Sequence, residues 1–123
     1  MTLVDTPVWI DHSRRGDEVL ASLLEKGEVL AHPLVIGELA LGNLSRRDFI
    51  LRSLRQLPRA TTARDDGVVK FVDREQHFGI GIEYVDVHLL AATRLSAGAS
   101  FWIRDRRLLA AAERLSLATR LFH

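Results

Sequence analysis

Thr2-Leu3-Val4-Asp5-Thr6-Pro7-Val8-Trp9-Ile10-Asp11 is the stretch whose reading decides the fold. A short apolar run ends abruptly in a carboxylate, a hydroxyl and a proline, and proline has no N–H with which to continue a strand ladder. An uninterrupted apolar run fits a parallel strand covered on both faces. Asp5 then stands at the strand's carboxyl end, where open α/β sheets place their ligands. An acid at the end of a buried strand is rare unless something nearby compensates it.

Downstream, helical and strand patterns alternate. Val19, Leu20, Leu23 and Leu24 form a helical stripe led by Asp17 and Glu18, and Gly27 ends it. Glu28–Ala31 reads as the second strand. Pro33 opens a helix with Leu34, Val35, Leu39, Ala40 and Leu41 on its apolar face, interrupted by Glu38 and stopped by Gly42-Asn43. Ser45 and Asp48 have capping-box spacing for a helix carrying Phe49, Leu51 and Leu54. Leu57–Thr62 suggests a turn into a third strand. Asp65 and Asp66 start a helix with Val68, Val69, Phe71 and Val72 inward. Phe78-Gly79-Ile80-Gly81-Ile82 is a glycine-broken loop, too short and irregular for a nucleotide fingerprint. Asp86 lies in the first turn of an apolar helix that Gly98 closes. Ala99–Ile103 reads as a fourth strand ending at Arg104-Asp105, Arg106–Leu115 as the last helix, and Leu117–Phe122 as an edge strand. The expectation is one α/β domain over residues 1–123, with a central parallel sheet of about four to five strands flanked by helices on both sides.

Composition narrows the function. At 123 residues the chain can bury one core, and 47% hydrophobic with 27% charged residues is ordinary globular usage. The absence of cysteine excludes disulfides, zinc–thiolate sites and thiol catalysis, and suits a reducing cytoplasm. No apolar run approaches the roughly 20 residues that cross a bilayer, so the reading is a soluble, unexported protein with no membrane role. A net charge of +1 does not argue for a polyanion-binding surface. Only Lys26 and Lys70 are lysines among 17 basic residues. Arginine's planar fork suits phosphate, but a GC-rich genome would enrich arginine equally.

Four acids carry the chemistry. Asp5 and Asp105 end two apolar strands at the same edge of a parallel sheet, and Glu38 and Asp86 lie in the opening turns of helices that start at that edge. Asp86 and Asp105 also satisfy the preference for aspartate at helix starts, and Glu38 suits the rim of a helix face. Together, however, four carboxylates repel one another and raise some of their pKa values. A hard divalent cation, Mg²⁺ or Mn²⁺, removes the conflict, and the chemistry such a site supports is hydrolysis of a phosphate ester.

Asp5-Thr6 after the first strand, Glu38 in Val35-Ile36-Gly37-Glu38-Leu39-Ala40, Asp86 in Tyr84–Ala91 and Asp105 in Trp102–Leu108 resemble the PIN domain, and more narrowly the VapC-type toxins of bacterial toxin–antitoxin pairs. The resemblance spans essentially the whole chain. It implies a Mg²⁺- or Mn²⁺-dependent endoribonuclease of PIN-like fold, often a homodimer, paired with a VapB-like antitoxin that commonly places a basic side chain in the acidic site. It further implies that Asp5, Asp86 and Asp105 are metal ligands, that Glu38 completes the acidic set, and that Thr6 orients ligand or phosphate. Many relatives carry threonine or serine two residues before the last acid, where this chain has Ile103.

An RNA substrate calls for backbone contacts, for which Arg14, Arg15, Arg104, Arg106 and Arg107 are candidates, Arg104 and Arg106 foremost. Trp9 and Trp102 could stack on bases but sit beside apolar strands, which suits core positions. The five histidines show no metal-ligand spacing; His12 is near Asp5 in sequence, and His88 reads as a side-facing polar residue. The leucines between Leu34 and Leu57 could leave an apolar groove for a partner helix. The alternative is a catalytically silent RNA- or protein-binding domain of the same fold, which the presence of all four acids opposes. A receiver-type phosphotransfer domain would need a second aspartate where Pro7 stands.

Overall fold

Three short parallel strands and seven helices make up the described part, residues 1–120, of the computed structural model. In chain order these are β1 (Thr2–Val4), α1 (Thr6–Arg15), α2 (Glu18–Glu25), β2 (Val29–Leu30), α3 (Pro33–Leu41), α4 (Arg47–Arg55), α5 (Asp65–Glu75), α6 (Tyr84–Leu95), β3 (Ser100–Trp102) and α7 (Arg106–Arg114). The sheet order is β2-β1-β3. Leu3 pairs with Leu30 on one side and with Phe101 on the other, and all three are buried. The two outer strands are each reached through helical crossovers, as parallel pairing demands.

The four-to-five-strand expectation resolves into three strands plus two single bridges. Ala31 pairs with Arg59 through Ala31 N–H to Pro58 C=O and Ala60 N–H to Ala31 C=O, both 2.9 Å. Pro58 offers no N–H, so the ladder does not lengthen there. Phe101 pairs likewise with Ala118, through Leu117 C=O (2.7 Å) and Thr119 N–H (2.9 Å). The end of the expected edge strand at Phe122 lies outside the described residues.

The opening stretch turns from strand to helix with no loop between. Asp5 is the N-cap of α1, its Oδ1 accepting the Thr6 N–H at 2.9 Å, and Pro7 sits in the first turn, where a missing N–H is tolerated. Val8 and Trp9, on the helix rather than beyond a strand, go into the core with Leu20, Leu54, Leu89 and Leu108. Trp102 is buried too, so neither indole is available to stack on a base.

Other local expectations change. The Ser45–Asp48 capping box does not form: α4 starts after Arg46 in the left-handed region (φ 56°, ψ 38°) with no side-chain cap, and Arg47 reaches back to the Ala40 carbonyl at 2.9 Å. Val69 faces solvent, as do Leu41 and Phe49. His88 is buried and meets Asp65 Oδ1 at 3.0 Å. His32 caps α3 by accepting the Leu34 N–H on Nδ1 at 3.0 Å. Burial, with smaller contributions from His88 and Arg59, pushes the His32 pKa down to about 4, so the imidazole stays a neutral acceptor.

Candidate active site

β1 and β3 deliver the first and last acids together. Asp5 N–H donates to the Trp102 carbonyl at 3.1 Å, extending the β1–β3 ladder one residue past Val4, and Asp105 follows three residues after Trp102 as the N-cap of α7. Asp86 sits in the first turn of α6, its Oδ2 accepting the Glu83 N–H at 3.1 Å. Glu38 differs from the sequence expectation. It lies in the second half of α3 rather than its opening turns, and it reaches the site because α3 packs against α1. There Thr6 Oγ1 donates to Glu38 Oε1 at 2.7 Å.

These residues line one cleft of about 320 Å³ with Pro7, Gly81 and Glu83. Glu83 is a fifth carboxylate that the sequence reading left out. Its position directly before the Asp86 helix was the available signal, since a residue three positions ahead of a first-turn aspartate is its natural capping partner.

Each cap fixes a rotamer and leaves an oxygen over. Asp5 Oδ1, Asp86 Oδ2 and Asp105 Oδ2 take backbone N–H groups, the last from Leu108 at 2.9 Å. Their second oxygens have no hydrogen-bond partner among the described residues, nor does Glu38 Oε2. Asp5 is only 5% exposed. Burial above all pushes its pKa up to about 6; the Thr6 N–H opposes this, and the charges of Asp86, Glu38 and Asp105 add to it. Asp86 is raised as well, chiefly by burial and then by Glu83, Glu38 and Asp105, against the Glu83 N–H.

All donors are oxygens and their charges conflict, which fits a hard divalent cation. The carboxylates ring the cleft without closing on one point: among the described residues no three acidic or histidine side chains form a ready-made ligand cage.

Other sequence candidates fall outside. Arg104 pairs with Asp11 (3.4 Å) and Asp17 (3.7 Å), and Arg106 is exposed at the start of α7; neither lines the cleft. His12 turns Nδ1 to the Asp17 N–H at 2.9 Å, joining α1 to α2. Thr6 uses both its N–H and its hydroxyl on acidic neighbours, so it orients Asp5 and Glu38.

Over 111 residues, 90% of each chain, the protein is 45% identical to Ribonuclease VapC32 of Mycobacterium tuberculosis strain H37Rv, with the same figures for the protein of that name from strain CDC 1551. No family model matches the chain. No solved structure matches it either.

Proposed function

The chain belongs to the VapC-type PIN ribonucleases, and from that premise we propose that its acidic cleft hydrolyses RNA phosphodiesters with a bound Mg²⁺ or Mn²⁺. The observation that carries this reading is the cleft itself, in which Asp5, Asp86 and Asp105 are each anchored through one oxygen and bare on the other. Those three residues would hold the cation, with Glu38 completing the acidic set. When bound, the ion lowers the pKa of a water molecule and offsets the charge that builds on the phosphate.

The protein's own part is preorganisation. The caps at Asp5, Asp86 and Asp105 lock the carboxylates before substrate arrives, so little reordering accompanies reaction. Thr6 ties Asp5 to Glu38 across two helices. Arg106, exposed at the start of α7, would meet the RNA backbone.

The toxin reading brings a VapB-like antitoxin as partner, action in the cytoplasm and a homodimeric state. No helix among the described residues is long and apolar enough to cross a membrane. Leu41 (90% exposed) and Phe49 (51% exposed), at the end of α3 and the start of α4, offer the apolar surface a partner helix needs. The decisive experiment is RNA cleavage with Mg²⁺ or Mn²⁺, with EDTA, and with Asp5→Asn. Loss of cleavage under both treatments is expected; cleavage that persists under both would end the metal mechanism.

A further inference from the structure

The glycine-broken loop before α6 has a use that the four-acid site leaves unexplained. Gly81 lines the acidic cleft, and its φ of +84° is one that side-chain-bearing residues rarely adopt. A Cβ built there would run into the Arg107 guanidinium and come within 3.0 Å of Arg107 Cδ and 3.1 Å of Cζ. The arginine is thus laid directly against the bare Cα of a cleft-lining residue. Among the described residues Arg107 makes no ion pair, although the cleft holds five carboxylates. Of its neighbours, Arg104 is held by Asp11 and Asp17 and Arg106 is exposed; none of the three arginines is itself part of the cleft lining, and Arg107 meets it through Gly81.

We propose that Arg107, seated on Gly81, is the residue that grips an RNA phosphate at the mouth of the carboxylate cleft. The proposal rests on the nuclease reading and names the group that brings the polyanion to it. A cleft lined by Asp5, Glu38, Glu83, Asp86 and Asp105 repels phosphate along its approach, and a cation bound deep among the acids does little for the neighbouring phosphates. An unpaired planar guanidinium at the rim supplies what those phosphates need, two parallel donors and a fixed charge. The missing side chain at position 81 lets the guanidinium lie close to the cleft. Arg107 therefore binds substrate and holds no metal.

The test compares the full chain with Arg107→Gln, Arg107→Lys, Gly81→Ala and, as control, Lys26→Gln, which removes an exposed charge after α2, at the opposite, amino-terminal edge of the sheet. Steady-state cleavage of total RNA with Mn²⁺ gives KM and kcat. Binding of a random-sequence single-stranded oligoribonucleotide in EDTA gives the salt dependence, and calorimetry gives Mn²⁺ affinity. For Arg107→Gln, KM rises about tenfold while kcat changes little. The slope of log binding constant against log salt flattens by about 0.7, one phosphate contact, and Mn²⁺ affinity is unchanged. Arg107→Lys recovers the slope but only part of KM, and Gly81→Ala follows Arg107→Gln. KM and salt slope equal to wild type in Arg107→Gln would overturn the proposal, as would Gly81→Ala behaving like wild type. A wild-type chain that cleaves no RNA would bring down the nuclease reading itself, a result visible before any variant is made.

Discussion

Asp5 is a carboxylic acid that its surroundings keep protonated well above the pH at which a free aspartate ionises, with a pKa of about 6. In the unfolded chain it ionises near 3.8, so the folded protein binds the proton more tightly. The resulting stability is fully present below about pH 4 and is lost as pH rises through about 6. Near neutrality the buried charge then costs on the order of 2–3 kcal/mol without a cation. Asp5→Asn keeps an oxygen for the Thr6 N–H and removes that charge. In EDTA at neutral pH it is expected to melt several degrees above wild type, and its melting temperature should vary less between pH 4 and pH 7. Calorimetric scans over that range check this; an equal or lower melting temperature would mean the carboxylate is already compensated. A cation must also displace the Asp5 proton, so Mn²⁺ affinity and cleavage are expected to fall as pH drops below about 6. Titrating Mn²⁺ at pH 5 and pH 7.5 measures the difference.

Among the elements, the residues that cap helices are also the proposed ligands, with one oxygen for each role. Asp105 holds the first turn of α7 through the Leu108 N–H and offers its other oxygen to the cleft. Asparagine caps a helix about as well as aspartate. Asp105→Asn should therefore leave the melting temperature nearly unchanged while lowering cleavage by at least about tenfold, whereas Asp105→Ala should lose activity and about 1 kcal/mol of stability. A variant pair that lost stability equally would assign Asp105 a structural role alone. This double use is why the strand ends were legible in the sequence: an apolar run, then an aspartate (directly at Asp5, after Arg104 at Asp105), then a helix. Glu38 was legible only as an interruption of an apolar helix face. Its place in the cleft depends on how α3 lies against α1, which no local pattern encodes.

For the molecule as a whole, Leu41 and Phe49 are two of several exposed large apolar residues, and they lie at the end of α3 and the start of α4. The Leu41→Ser/Phe49→Ser double variant is expected to melt within about 1 °C of wild type, since surface changes of this kind shift stability little. If the proposed VapB-like antitoxin docks there, its complex with the variant should weaken about tenfold or more, as read by calorimetric titration; unchanged affinity would move the partner to another face. Cation binding also acts on the entire fold. If Asp5, Asp86 and Asp105 hold the proposed cation, it would bridge the starts of α1, α6 and α7, and Mn²⁺ at 100 times its dissociation constant should stabilise the protein by about 2.7 kcal/mol. Thermal unfolding with and without Mn²⁺ checks this, and EDTA should reverse it.

The residues by themselves determined that the protein is an α/β domain with buried parallel strands and that aspartates stand where those strands end, because hydrophobic period and capping chemistry are local and act within a few residues. Tertiary structure alone decided which acids meet, that Glu83 joins them, that Arg104 is drawn off to Asp11 and Asp17, and that Arg107 lies on Gly81. Among the described residues it also left single bridges where two further strands were expected. Those outcomes depend on helix packing and on contacts across tens of residues, where the competing interactions differ by less than any sequence pattern records.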